Sequence, residues 1–182
     1  IECYVAKVNN RLRELTFYLN FDCEVEFLCL DNLEAVRAYQ TTLRYIIAMA
    51  VKRIDPQARL IFNDYVSRSF IGYLENTTSP YNQNYLNSVI TEVNNIIKSN
   101  YSIVRHQGDK EDVLNIYKRE GYFDKYNVLQ YREDNKVNYY SCDGYIDYMY
   151  GYMLPSTGYI NSSGLNAFIV SSKVLFEGWQ KR

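Results

Sequence analysis

The chain contains a single histidine, His106, and no glycine followed by lysine among its 182 residues. Metal hydrolases usually draw two or three ligands from histidine, with a carboxylate or cysteine completing the set, so a histidine-rich catalytic zinc site is excluded. Without a Gly-Lys step no G-x-x-x-x-G-K-[ST] loop can be written, which excludes ATP binding through such a loop. An excess of either charge is missing too. Twenty Lys and Arg stand against 21 Asp and Glu, a net charge of -1, so any nucleic-acid contact has to be local. The longest apolar run, Tyr45 to Val51, falls far short of the roughly 20 residues that cross a bilayer, and the opening lacks a signal peptide's basic and apolar regions. A soluble, cytoplasmic protein with no membrane partner is expected. Cys3, Cys23, Cys29 and Cys142 form no C-x-x-C pair and are sparse for this length. They read as buried thiols and not as a disulfide framework, so redox chemistry is not expected.

What the chain does have is apolar bulk and tyrosine. At 47% hydrophobic and 23% charged residues it can build the core of one sizeable domain or two small ones. Twenty Tyr accompany eight Phe and one Trp, and they are densest from Tyr139 to Tyr159. Tyrosine packs its ring while its hydroxyl finds a polar partner. With few basic residues between Cys142 and Ser172, packing is favoured over stacking on nucleotides.

Alternation of apolar and polar residues predicts strands at Tyr4 to Val8 and Glu24 to Leu28. Asp31 and Glu34 resemble a capping box, and apolar residues at helical period predict a helix from Leu33 to Ile54, closed before Pro56. Arg59 to Phe62 and Tyr65 to Leu74 read as a hairpin turning near Asn63-Asp64, with Gly72 as a bulge. A second helix follows through Leu86 to Ile97, and a third opens at Asp109 and stops at Gly121. Strands from Val137 to Ser141 and near Ala167 to Val170 close the pattern. This succession suggests α+β and not alternating βαβ units. His106 falls in a polar stretch beside Arg105 and reads as solvated or helix-capping. Gly144, Gly151, Gly158 and Gly164 lack a dinucleotide-binding spacing and carry no cofactor role.

Taken in order, the elements resemble a known modular pair. Tyr4 to Asp31 resembles the rear part of a TGS domain, the small β-grasp unit at the start of threonyl-tRNA synthetases, with Val8-Asn9-Asn10-Arg11-Leu12 at its strand and turn. Leu33 to Leu74 is similar to the start of the synthetase editing domain, the second additional domain. Thr41 to Lys52 lies along the helix that carries H-S-x-x-H-L-L-x-x-A in that family, and Phe62-Asn63-Asp64-Tyr65 and Phe70-Ile71-Gly72-Tyr73 lie on the hairpin after it. Asn100 to Val104 with Glu111 to Gly121 resembles the later helix and its lead-in. Asp147 to Ile160 is similar to the D-Y-x-Y-G-Y-x-x-P-S-T-G-Y-L signature of bacterial uridine kinase-like nucleoside kinases of the phosphoribulokinase/uridine kinase family. Those proteins join both units to a C-terminal P-loop kinase domain.

The resemblance implies an α+β chain with a partial β-grasp (TGS) unit at 1–32 and a degenerate tRNA synthetase editing-like domain at 33–182, excised from a longer protein whose kinase domain lies beyond 182. It implies a non-catalytic accessory or regulatory region of an ATP-dependent uridine kinase. The expected partners are its own C-terminal kinase domain and RNA or a small molecule; ATP and Mg belong to the kinase domain and no cofactor to this piece. In the synthetase module two histidines one helical turn apart meet a Cys-x-x-x-His. The matching positions here are Thr41, Tyr45, Cys142 and Ile146, so no imidazole remains there and neither a catalytic nor a metal residue is expected. A surviving cleft would be lined by Thr41, Tyr45, Asp64, Tyr65, Cys142 and Asp143. The turn Pro155-Ser156-Thr157-Gly158 suits closure of the core, and its hydroxyls and amides suit a phosphate or a tRNA 3′ end as well. Three alternatives stand beside this reading: an aminoacyl-tRNA deacylase with a rearranged site around Cys142, Asp143 and Asp147, an RNA module whose Arg11, Arg13, Arg37, Arg44, Lys52 and Arg53 share one face, and a purely architectural dimerisation or docking surface for the kinase.

Overall fold

The computed structural model describes residues 3–66, 69–78, 80–149, 151–163, 165–170 and 173–177. In chain order the elements are β1 (Val5–Val8), β2 (Arg11–Arg13), β3 (Val25–Leu28), α1 (Leu33–Ile54), β4 (Arg59–Val66), β5 (Ser69–Glu75), α2 (Gln83–Ser99), β6 (Val104–Asp109), α3 (Lys110–Glu120), α4 (Phe123–Gln130), β7 (Lys136–Cys142), β8 (Tyr145–Asp147), β9 (Asn166–Val170) and β10 (Lys173–Glu177). The fold is α+β with several small antiparallel sheets. Among the described residues no helix is long and apolar enough to cross a membrane.

Two compact units divide the chain: Ile1–Ser102 with Gly151–Arg182, and Ile103–Tyr150. The chain thus leaves the first unit after Ser102 and re-enters it at Gly151.

In the first unit β2, β1 and β3 form one antiparallel sheet, its first turn made by Asn9 and Asn10 at positive φ, a conformation asparagine tolerates. The cap of α1 is Asn32 and not Asp31: its Oδ1 accepts the Glu34 N–H at 2.9 Å. The helix ends at Asp55, ahead of Pro56, whose ring disfavours helical backbone in the residue before it. Leu43, Tyr45, Ile46, Ile47, Met49 and Ala50 are all fully buried, so α1 is the centre of this core. It packs on α2 and β4, and α2 packs on β9, beside a sheet ordered β4-β5-β10-β9.

The β4–β5 hairpin corrects the sequence reading twice. Its first strand runs through Asn63-Asp64 to Val66, so the hairpin does not turn at Asn63-Asp64. The bulge is on β4, where Phe62 faces Gly72 and Asp64 faces Ile71, leaving Asn63 as the extra residue. Gly72 sits opposite that bulge, where a Cβ would lie 2.7 Å from the Ile61 carbonyl oxygen; glycine is required for close approach of two backbones.

In the second unit β6, β7 and β8 form an antiparallel sheet in that order. Val113, Tyr117, Tyr122, Leu129 and Val137 make its core, contributed by α3, α4, the turn between them and β7. Gly121 ends α3 in the left-handed conformation, and Asp143-Gly144, both at positive φ, make the two-residue β7–β8 turn. The polar stretch around His106 lies on β6, Val104–Asp109. It is a strand because β7 supplies a ladder for all six of its residues, not because its own residues favour one.

Candidate functional site

Of the positions matched to the synthetase histidines, Thr41 is 5% exposed and Tyr45 0%. Both lie inside the first unit. The segment laid against α1 there is Met153-Leu154: the Leu154 N–H donates to Thr42 Oγ1 at 2.9 Å, and that hydroxyl donates to the Ala38 carbonyl at 2.8 Å. The Met153 N–H donates to Glu14 Oε1 at 3.1 Å. Cys142, 1% exposed at the end of β7, and Asp143, exposed in the turn after it, belong to the second unit, as does Ile146 on β8. Asp64 and Tyr65 stand on β4, and their side chains lie outside the described residues.

The turn Pro155–Gly158 is held by the end of α2. Thr157 is fully buried; its Oγ1 donates to the Ile96 carbonyl at 2.8 Å and accepts the Tyr101 N–H at 2.9 Å. Asn100, left-handed at φ 49, caps α2. Its Oδ1 accepts the Ser156 hydroxyl at 2.5 Å and the Gly158 N–H at 3.2 Å. A Cβ on Gly158 would collide with the Asn100 side chain, so glycine belongs there for space. The hydroxyls of this turn are therefore engaged within the unit.

The basic residues weighed for an RNA face are engaged in several ways. Arg37 pairs with Glu34 at 2.6 Å, and Arg53 with Glu92 at 2.8 Å. Arg13 lies 4.9 Å from the Phe17 ring centre and Arg44 5.9 Å from that of Phe70.

The lone imidazole is the feature that sequence reasoning misplaced. His106 is on β6, half-buried, with Nε2 2.7 Å from Ser141 Oγ. Its ring stacks on Tyr139, with centroids 5.0 Å apart and planes 21° apart. The β6–β7 register accounts for both contacts, since His106 faces Tyr139 and Val104 faces Ser141, which puts Ser141 diagonally beside His106 on the same face. Gly108 leaves room for this row: a Cβ there would lie 3.2 Å from Tyr139 Cε1. Finding the pair from sequence would have required recognising β6 as a strand.

A second polar cluster surrounds Asp147, 2% exposed. Its Oδ1 accepts from Lys125 Nζ and from the Tyr148 N–H at 2.7 Å, and its Oδ2 accepts the Tyr145 hydroxyl at 3.0 Å. Lys125 Nζ also lies 4.9 Å from the Tyr122 ring centre. Burial first, and then the charge of Asp147, hold the nearby Tyr117 hydroxyl well above the ordinary tyrosine range.

Chemically the two clusters differ. The Asp147 carboxylate is occupied by a cation, a phenol and an amide, which suits a lock more than a general base. At His106 a neutral imidazole with its proton on Nδ1 can accept the Ser141 proton at Nε2, the arrangement of a base and a nucleophilic hydroxyl. The synthetase-type metal centre does not fit this chain, because its matching positions offer a hydroxyl, a phenol, one thiol and an alkyl group. Among the described residues no group of three His, Cys, Asp or Glu could hold a metal ion.

No family model matches the chain. The chain is similar to threonine–tRNA ligases. It is 31% identical to that of Symbiobacterium thermophilum over 160 residues, covering 86% of this chain and 24% of the ligase. For the ligase of Caldanaerobacter subterraneus subsp. tengcongensis the identity is 26% over 162 residues, 88% of this chain and 25% of the ligase. For that of Clostridium tetani it is 27% over 158 residues, 86% and 25%. The chain thus spans about a quarter of the length of the curated relatives it matches. These relatives agree with the synthetase part of the resemblance. They overturn its kinase part: proteins matched over most of the chain are ligases, so uridine kinase, nucleoside kinase and ATP-dependent transferase are corrected as descriptions of it.

Proposed function

We propose that this chain is a tRNA-directed module of threonyl-tRNA synthetase type, an aminoacyl-tRNA deacylase whose site is rearranged around His106 and Ser141. The observation that carries the reading is the similarity to threonine–tRNA ligases over 86% of the chain. The His106–Ser141 pair supplies a chemistry that needs no metal. Ser141 Oγ, giving its proton to His106 Nε2, attacks the carbonyl carbon of the aminoacyl ester. The ester C–O bond breaks, and the ribose oxygen of the tRNA leaves with the proton returned by the imidazolium. Water deprotonated by the same nitrogen then releases the amino acid and restores Ser141.

The test uses seryl-tRNA mischarged on a threonine acceptor. The chain should speed loss of the ester about 100-fold or more over buffer, the low end of what a positioned acid–base group contributes. A rate equal to buffer at saturating protein defeats the deacylase reading.

A further inference from the structure

The pairing that brings His106 to Ser141 also decides what surrounds them. Residues directly opposite in an antiparallel ladder share a face, so Val104 and His106 of β6 lie on one face with Ser141 and Tyr139 of β7 and Ile146 of β8. None of these side chains is a carboxylate, an ammonium or a guanidinium, and Gly108 and Val137, which continue the face, add none. The sheet's Arg105, Asp109, Lys136 and Asp147 fall in the alternate register on the opposite face, where Lys136 pairs with Asp109 at 2.8 Å. The Gly108–Val137 end of the uncharged face is closed: Val137 is buried, and Val113 Cγ2 lies 3.5 Å from where a Gly108 Cβ would stand. The other end is open. There Ser141 is flanked by Val104, 47% exposed, on one strand and by half-buried Ile146 on the other, with His106 and Tyr139 in the next row.

We infer that the acyl group taken by this site carries an apolar side chain, seated between Val104 and Ile146 beside the Ser141 hydroxyl. Directly opposed residues stand about 4.5–5.5 Å apart at Cβ, so an ester carbonyl within reach of Ser141 Oγ brings its α-substituent onto these two neighbours. A methyl-bearing side chain buries apolar surface there. A hydroxyl in the same place gives up water for two alkyl side chains, a loss that nothing on this face offsets without disturbing the His106–Ser141 hydrogen bond. The expected discrimination between two isosteres that differ in this way is about 10-fold, less than a closed apolar pocket reaches, because Val104 is partly open to water. The inference rests on the deacylase reading for the bond that breaks. The seat is a property of the face and is tested without turnover.

Two amide analogues separate the seat from the chemistry: 3′-deoxyadenosine bearing valine or threonine through a 3′-amide, whose side chains differ only by methyl against hydroxyl. Added to the full chain, the valyl amide should move the methyl resonances of Val104 and Ile146 and bind about 10-fold more tightly than the threonyl amide. In Val104→Thr, a near-isosteric change at a partly exposed position, the preference should drop to about twofold or less. The same preference is expected in single-turnover release of valine and threonine from one tRNA. Equal affinities of the two amides, methyl resonances that neither amide moves, or a preference that survives Val104→Thr would overturn the inference. Tighter binding of the valyl amide with no release from valyl-tRNA would leave the seat in place and defeat the deacylase reading alone.

Discussion

Replacing Asp147 with alanine should destabilise the chain by about 3 kcal/mol, the low end for breaking a buried ion pair, because Lys125 is partly exposed and can turn to water. The loss has three sources: a cation left without its carboxylate, and the Tyr145 hydroxyl and Tyr148 N–H left without an acceptor. All three groups lie in the second unit, so the loss should be local first. Amide hydrogen exchange should quicken across β7, β8 and α4 well before it does in α1. Asp147→Asn keeps the shape and one acceptor oxygen and should lose distinctly less. If both substitutions leave β8 exchange unchanged, the cluster is not what holds this unit.

Thr157→Val is the second large effect. The exchange nearly preserves volume but removes the hydroxyl, orphaning the Ile96 carbonyl and the Tyr101 N–H in a fully buried site. Each unsatisfied buried group costs about 1–3 kcal/mol, so a loss of roughly 2–4 kcal/mol is expected, read as a lower urea midpoint at unchanged slope. Thr157→Ser retains both hydrogen bonds and loses a methyl group, for about 1 kcal/mol. Equal midpoints for the two variants would show that the hydroxyl does not anchor the turn.

These two residues also explain why a short signature misled. Asp147 and Thr157 both belong to the Asp147–Ile160 stretch that resembles the nucleoside-kinase motif, and in this fold both hold elements together through buried hydrogen bonds. Residues selected for packing and turn geometry recur wherever the fold recurs, whatever activity is attached to it. The stretch therefore reports the module and says nothing of its neighbour in a longer chain.

Legibility in the sequence followed the physics of each element. Helix α1 was readable to its last residue because its apolar period is sustained over many turns and both ends are punctuated. Its cap was misread by one position because Asp31 and Asn32 are chemically equivalent candidates, and only backbone geometry separates them. Strand β6 was hidden because Arg105, His106, Gln107 and Asp109 present no apolar alternation; its conformation comes from pairing with β7, a long-range cause. Without β6 as a strand the only imidazole reads as solvated, because its partner Ser141 is reached only through the β6–β7 pairing. The cleft expected around Thr41 and Tyr45 rests on aligned positions, and alignment carries no exposure; both side chains are buried.

The most direct measurement is single-turnover deacylation of mischarged seryl-tRNA by the unsubstituted chain, His106→Ala and Ser141→Ala, each with and without a strong chelator. A metal-free site built on this pair predicts a rate indifferent to the chelator and a fall of about 100- to 10,000-fold in either variant, with folding unchanged by hydrogen exchange. Undiminished turnover in both variants, or loss of turnover on chelation alone, would contradict it.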